Sequence, residues 1–128
     1  IQQLKKINKI IKKKQKLALN YNKLFKSNKE ILTPYTNFKN VTPFIYYIRV
    51  KSKFRDRLRN FLKKNNINTG LHWTPNHTHS YFKNCKSGKL DITNRVSKEL
   101  ISLPFYVDLN EKKQKTIARK IDSFFKKI

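Results

Sequence analysis

A row of apolar residues at seven-residue spacing, Leu4, Ile11, Ala18 and Phe25, does most to constrain how this chain can fold. Ile10, Leu17 and Leu24 form a second row, with Ile7 and Tyr21 beside them. Apolar positions that return every three to four residues share one face of an α-helix. The opposite face is almost all Lys, Asn and Gln, so the spacing predicts an amphipathic helix over about 1–27. Its apolar face needs a sheet or further helices to cover it. The row is longer than a domain of 128 residues has to cover, so part of it is expected to stand exposed. The helix opens without a cap or an initiator Met, and further chain is expected before Ile1.

The rest of the chain alternates strand and helix signals. Pro34 and Pro43 punctuate a loop over 28–43. Phe44 to Val50 is apolar on both alternating faces and reads as a strand buried on both sides. Ser52 can cap a helix over about 53–65 whose inner face carries Phe54, Leu58, Phe61 and Leu62. Asn65-Asn66 is its expected stop, because Asn tolerates the left-handed conformation. Ile67 to Trp73 returns as a short strand, and 74–91 is irregular with a short turn near Tyr81-Phe82. A short helix over Asn94–Ile101, an extended run Ser102–Val107, a capping box from Asp108 to Glu111 and a last helix over about 110–127 complete the order. Ile117, Ile121, Phe124 and Phe125 would line that helix's inner side. The expected fold is α/β, a small sheet of three or so strands flanked by helices, with a long N-terminal amphipathic helix. At about 100–200 residues per domain, 1–128 is a single domain.

Charge is the obvious pointer to a partner. Lys and Arg number 31 against 7 acids, a formal +24. Such a balance is the electrostatic footprint of a nucleic-acid binder. The basic set, however, is 25 Lys to 6 Arg, with 14 Asn, 13 Ile and only 2 Ala. Lys, Asn, Ile and Phe are residues of A/T-rich codons, and specific readout favours the scarce Arg. The lysines are also spread along the chain. Compositional drift is therefore favoured over a specific nucleic-acid role, with weak, salt-sensitive binding to polyanions expected. Aromatics at 12% argue against a disordered tail. No run approaches the roughly 20 apolar residues of a membrane span, and no signal-peptide core opens the chain, so a cytoplasmic protein without membrane contact is expected.

Few residues can do chemistry. Two glycines in the chain exclude a Walker loop and a dinucleotide fingerprint. The lone Cys85 lies among Lys83, Asn84 and Lys86 and reads as an exposed thiol without an orienting partner. Paired carboxylates for acid–base work are missing. His72, His77 and His79 fall within eight residues, but their spacing suits no common zinc site, so no metal is expected. The cluster reads better as a pocket-rim loop. His72 and Trp73 end a strand before Pro75, and imidazole and indole rings can hold a polar, planar or phosphorylated ligand. The plainer alternative is that both rings simply pack beneath the loop.

Asn66-Ile67-Asn68-Thr69-Gly70-Leu71-His72-Trp73-Thr74-Pro75-Asn76-His77 resembles a segment of the DegT/DnrJ/EryC1/StrS sugar aminotransferases. Three further stretches agree in order. Leu4, Ile7, Lys14, Ala18, Tyr21 and Leu24 match the family's long helix. Tyr46 to Leu62, with Arg55-Asp56-Arg57-Leu58, resembles a further family stretch, and so does Glu99 to Pro104, after which Asp108-Leu109 leads into the terminal helix. Asn66, Lys14 and Val107 stand where the family has Gly, Arg and Pro. The resemblance implies the C-terminal small domain of a fold-type I, pyridoxal 5′-phosphate-dependent aminotransferase that aminates a keto nucleotide sugar for surface polysaccharide or lipopolysaccharide.

By the same resemblance, the large domain with the aldimine lysine and the cofactor contacts is expected to be absent from this chain. The chain would then hold no catalytic or cofactor-binding residue and would be inactive alone. His77, and with it His72 and Trp73, would face the substrate. The partners implied are the missing large domain, a second copy in a homodimer and the nucleotide sugar, with no specific nucleic acid. The rival readings are a stand-alone basic nucleic-acid module and an inactive gene fragment. Oligonucleotide affinity that survives moderate salt would favour the module.

Overall fold

The computed structural model describes residues 2–128. The amphipathic row forms two helices, α1 (Gln2–Lys5) and α2 (Ile7–Phe25), broken at Lys6. Only the second half of the stripe is buried. Leu17, Ala18, Tyr21 and Phe25 lie in the core, whereas Leu4 is 69% and Ile7 42% exposed. The expected start at Ile1 lies outside the described residues.

The sheet is smaller than three strands. β1 (Tyr46–Arg49) pairs antiparallel with β2 (Leu100–Leu103), Ile48 opposite Ile101. Leu32 and Gly70 extend it by one bridge each, to Arg49 and Ser102. The expected strand over Ile67–Trp73 is thus reduced to the single bridge at Gly70, and left-handed residues at Asn66 and Trp73 bound the segment. β1 is also shorter than expected and not buried throughout: Tyr46 and Ile48 face the core, Tyr47 and Arg49 are half-buried, and Phe44 is exposed.

α2 meets this pair through Tyr21 on Tyr46, and α3 (Ser52–Lys64) packs against β2. α3 buries Phe54, Leu58 and Leu62. Ser52 opens it without a side-chain cap bond. It ends as expected at Asn65-Asn66: Asn66 has φ 59°, its N–H donates to Lys63 O, and the Ile67 N–H donates back to Leu62 O. α4 (Asp91–Ser97) lies three residues earlier than expected, since 100–103 is taken into β2. α5 (Glu111–Phe125) lies on α2 and α3. Gln114, fully buried in α5, donates to the Leu17 carbonyl at 2.9 Å and accepts from the Asn20 amide at 2.8 Å, which satisfies a polar group inside the core. Tyr21 and Tyr46 stack at 4.7 Å, their hydroxyls donating to Pro104 O and Asn22 Oδ1. Burial, then the neighbouring phenols, raises both phenol pKa values well above the usual tyrosine range.

Candidate functional site

The bridge between Gly70 and Ser102, with both N–H···O distances at 2.9 Å, anchors the segment that carries the histidines. Beyond it the chain runs over the surface as Leu71–Pro75 and closes two short 3₁₀ turns, Asn76–Thr78 and Ser80–Phe82. This loop faces α4 across a groove of about 670 Å³. His72, Trp73 and Pro75 form one wall, Ile92, Thr93, Val96 and Lys98 the other, and Arg55 reaches in from α3.

Three local features set the loop's geometry. The His72 ring folds back over Gly70 so closely that a Cβ there would stand 2.5 Å from its Cε1, and a larger residue at 70 would push the ring aside. Trp73 has φ 57°, a left-handed backbone that is strained for a bulky residue, and its ring is 68% exposed beside Phe44. Strain of this kind is concentrated at ligand sites. Arg55 forks onto Asp56 with two 3.0 Å bonds and donates to the Ser97 carbonyl at 3.0 Å, tying α3 to the end of α4. The hydrogen bond from Arg55 holds the Asp56 carboxyl below its ordinary range.

The structure brings His72 and Trp73 to the groove and turns His77 elsewhere. The His77 ring is half-buried, and its Nε2 shares a 2.7 Å hydrogen bond with Asn94 Oδ1 of α4. His79 is exposed, as is Cys85. Asn94 was not singled out in the sequence as a site residue, and Arg55 entered only as part of the family-like stretch Arg55–Leu58. Arg55 carried a weak signal, a charge beside the apolar face of α3. Asn94 carried none, since its partner lies 17 residues away. A second cleft of about 700 Å³, lined by Asn66, Tyr106 and Lys113 among others, holds none of the histidines.

The groove does not fit pyridoxal phosphate by itself. Among the described residues that line it, Lys98 is the one lysine and there is no carboxylate to face a pyridine nitrogen. The half-buried lysine of the domain, Lys14, is occupied by the Phe44 carbonyl at 3.2 Å and the Phe105 ring. No helix among the described residues is long and apolar enough to cross a membrane.

The DegT/DnrJ/EryC1/StrS aminotransferase family matches residues 1–122, and the chain belongs to that family. The fold agrees with solved aminotransferases. PseC of Helicobacter pylori, an aminotransferase involved in the biosynthesis of pseudoaminic acid, superposes with a TM-score of 0.86 at 24% identity, over 99% of this chain and 36% of its own. The aminotransferase TlmJ of Streptoalloteichus hindustanus gives 0.83 at 17% identity, over 98% and 34%. A pleiotropic regulatory protein of Geobacillus stearothermophilus is 31% identical over 80 residues, which is 60% of this chain and 22% of that protein. The chain thus spans about a third of the solved structures and less of the curated relative.

Proposed function

We propose that this chain is the C-terminal small domain of a longer, cytoplasmic, homodimeric aminotransferase that moves an amino group onto a keto nucleotide sugar, toward a surface polysaccharide or lipopolysaccharide. The observation that carries this is the family match over residues 1–122, set against a length one-third that of the solved relatives. The cofactor, pyridoxal 5′-phosphate, would be held by a large domain elsewhere in the polypeptide, and no residue here is assigned to it. This chain's part is to wall the substrate site. His72 and Trp73 offer a ring edge and an exposed aromatic face to a sugar or base, and Lys98 a cation to a phosphate. His77 is kept as a substrate contact on the family resemblance alone, since it is held at Asn94 and does not line the groove.

The test is turnover of a keto nucleotide sugar with glutamate and added pyridoxal phosphate. The longer polypeptide is expected to form the amino sugar, and the 128-residue chain to do no better than free cofactor. Turnover by this chain alone would overturn its assignment as a wall without a cofactor site. A longer polypeptide that aminates free sugars but no nucleotide sugar would overturn the substrate class.

A further inference from the structure

α4 is the groove wall with the least to hold it. It has seven residues, and isolated helices shorter than about 12–15 residues are marginal in water, so something outside it must fix it. Packing supplies little. Among the described residues α3 buries three side chains and α5 five, whereas α4 buries none, and its groove residue Ile92 is 70% exposed. The chain leading into it is exposed throughout 81–89, and a Cβ at Gly88 would meet nothing within 4 Å. What fixes α4 is polar. At its C-terminal end Arg55, itself held by the fork onto Asp56, donates to the Ser97 carbonyl at 3.0 Å. Two residues on, Glu99 is tied to β1: its carboxylate accepts from Arg49 at 2.6 Å and its carbonyl from the Val50 N–H at 3.1 Å. Farther from that end, Asn94 shares its 2.7 Å bond with His77, which joins the helix of one wall to the loop of the other.

We infer that α4 is a hinged flap on the groove, pivoting at Ser97–Glu99, where Arg55 and Arg49 hold it, and clasped to the facing loop by the His77–Asn94 bond. His77 and Asn94 are then positioning residues, which act on the groove through its width. Pivot and clasp both lie within this chain, so the inference stands apart from the proposed substrate.

Two measurements on the 128-residue chain test it. In amide hydrogen exchange, Arg95–Ser97 should open locally, at a rate that low urea leaves unchanged, while Leu58–Leu62 of α3 should open only with the whole fold. His77→Ala and Asn94→Ala should each speed the α4 amides by about three- to tenfold, the loss of one ordinary hydrogen bond. The double variant should be no faster than either single one, because both remove the same bond. Alanine is the better helix former, so faster exchange in Asn94→Ala cannot come from helix propensity. Unchanged amides in α3 and α5 show that the variants fold. The second measurement reads the groove itself. Spin labels on Thr74→Cys and Thr93→Cys, one on each wall, with Cys85→Ser, should give a narrow distance distribution that gains a longer component when His77→Ala or Asn94→Ala is added. Exchange in α4 that tracks global unfolding, single effects that add in the double variant, or a label distance unchanged by loss of the clasp would each overturn the flap.

Discussion

At Trp73 the backbone holds φ 57°, and an L-residue in the left-handed region gives up roughly 1–2 kcal/mol. Trp73→Gly and Trp73→Ala remove the same ring, so their difference isolates that strain. The glycine variant should be the more stable by about 0.5–1 kcal/mol in urea unfolding, after allowing for the greater freedom of an unfolded glycine. Equal stabilities would show that the backbone there is relaxed. Arg55 carries a second residue-scale prediction. Its hydrogen bond lowers the Asp56 pKa, so the pair's small contribution is present above the ordinary carboxylate pKa of about 4 and is lost as pH falls through the lowered value. Arg55→Gln should move the Asp56 midpoint up toward the ordinary carboxylate range in a ¹³C-detected titration, Arg59 still holding part of the shift; an unchanged midpoint would assign the shift to another group. His72 and Trp73 were legible as groove rings from their place just ahead of Pro75, although the strand expected to carry them is reduced to Gly70. The left-handed turn at Trp73 was not, since nothing in a tryptophan favours it. Nor was the turn of His77 toward Asn94, which depends on a contact across 17 residues.

Among the elements, α5 shows how a local signal can be right in kind and misplaced by two residues. Asp108 and Glu111 have the spacing of a capping box, yet the helix is capped by Asn110, whose Oδ1 accepts from the Lys113 N–H at 2.8 Å. Burial of Leu109 in the core fixes where the first turn begins, and that leaves Asp108 outside it, 3.8 Å from Lys13. Glu111 turns instead to Lys16 at 3.0 Å. Asn110→Ala should therefore cost about 1 kcal/mol in thermal or urea unfolding. Asp108→Ala, which loses one exposed ion pair, should cost a few tenths at most. The reverse order would restore the cap to Asp108. The stop of α3 at Asn66 was legible because few residues other than Gly accept that conformation. The third strand was not, because pairing with Ser102 is a property of the partner strand and not of residues 67–73.

At the scale of the whole molecule, the apolar stripe outruns the core. Amides of residues 7–11, ahead of the buried turns at Leu17–Phe25, should exchange with solvent much faster than those of Tyr46–Arg49. Equal protection in a monomer would mean that the first turns of α2 are held by something other than packing. The charge of +24 identified no partner, since lysines spread along the whole chain give attraction without a site. As proposed, this domain supplies a substrate wall to an aminotransferase whose cofactor is held elsewhere in the polypeptide. The most direct measurement is kcat/KM for a keto nucleotide sugar in the longer polypeptide carrying His72→Ala or Trp73→Ala, recorded beside the cofactor's absorbance. A fall of about tenfold or more, the loss of one hydrogen bond to a charged group or one stacking face, with the absorbance intact, is the predicted result. Unchanged kcat/KM, or a cofactor lost together with the activity, would contradict it.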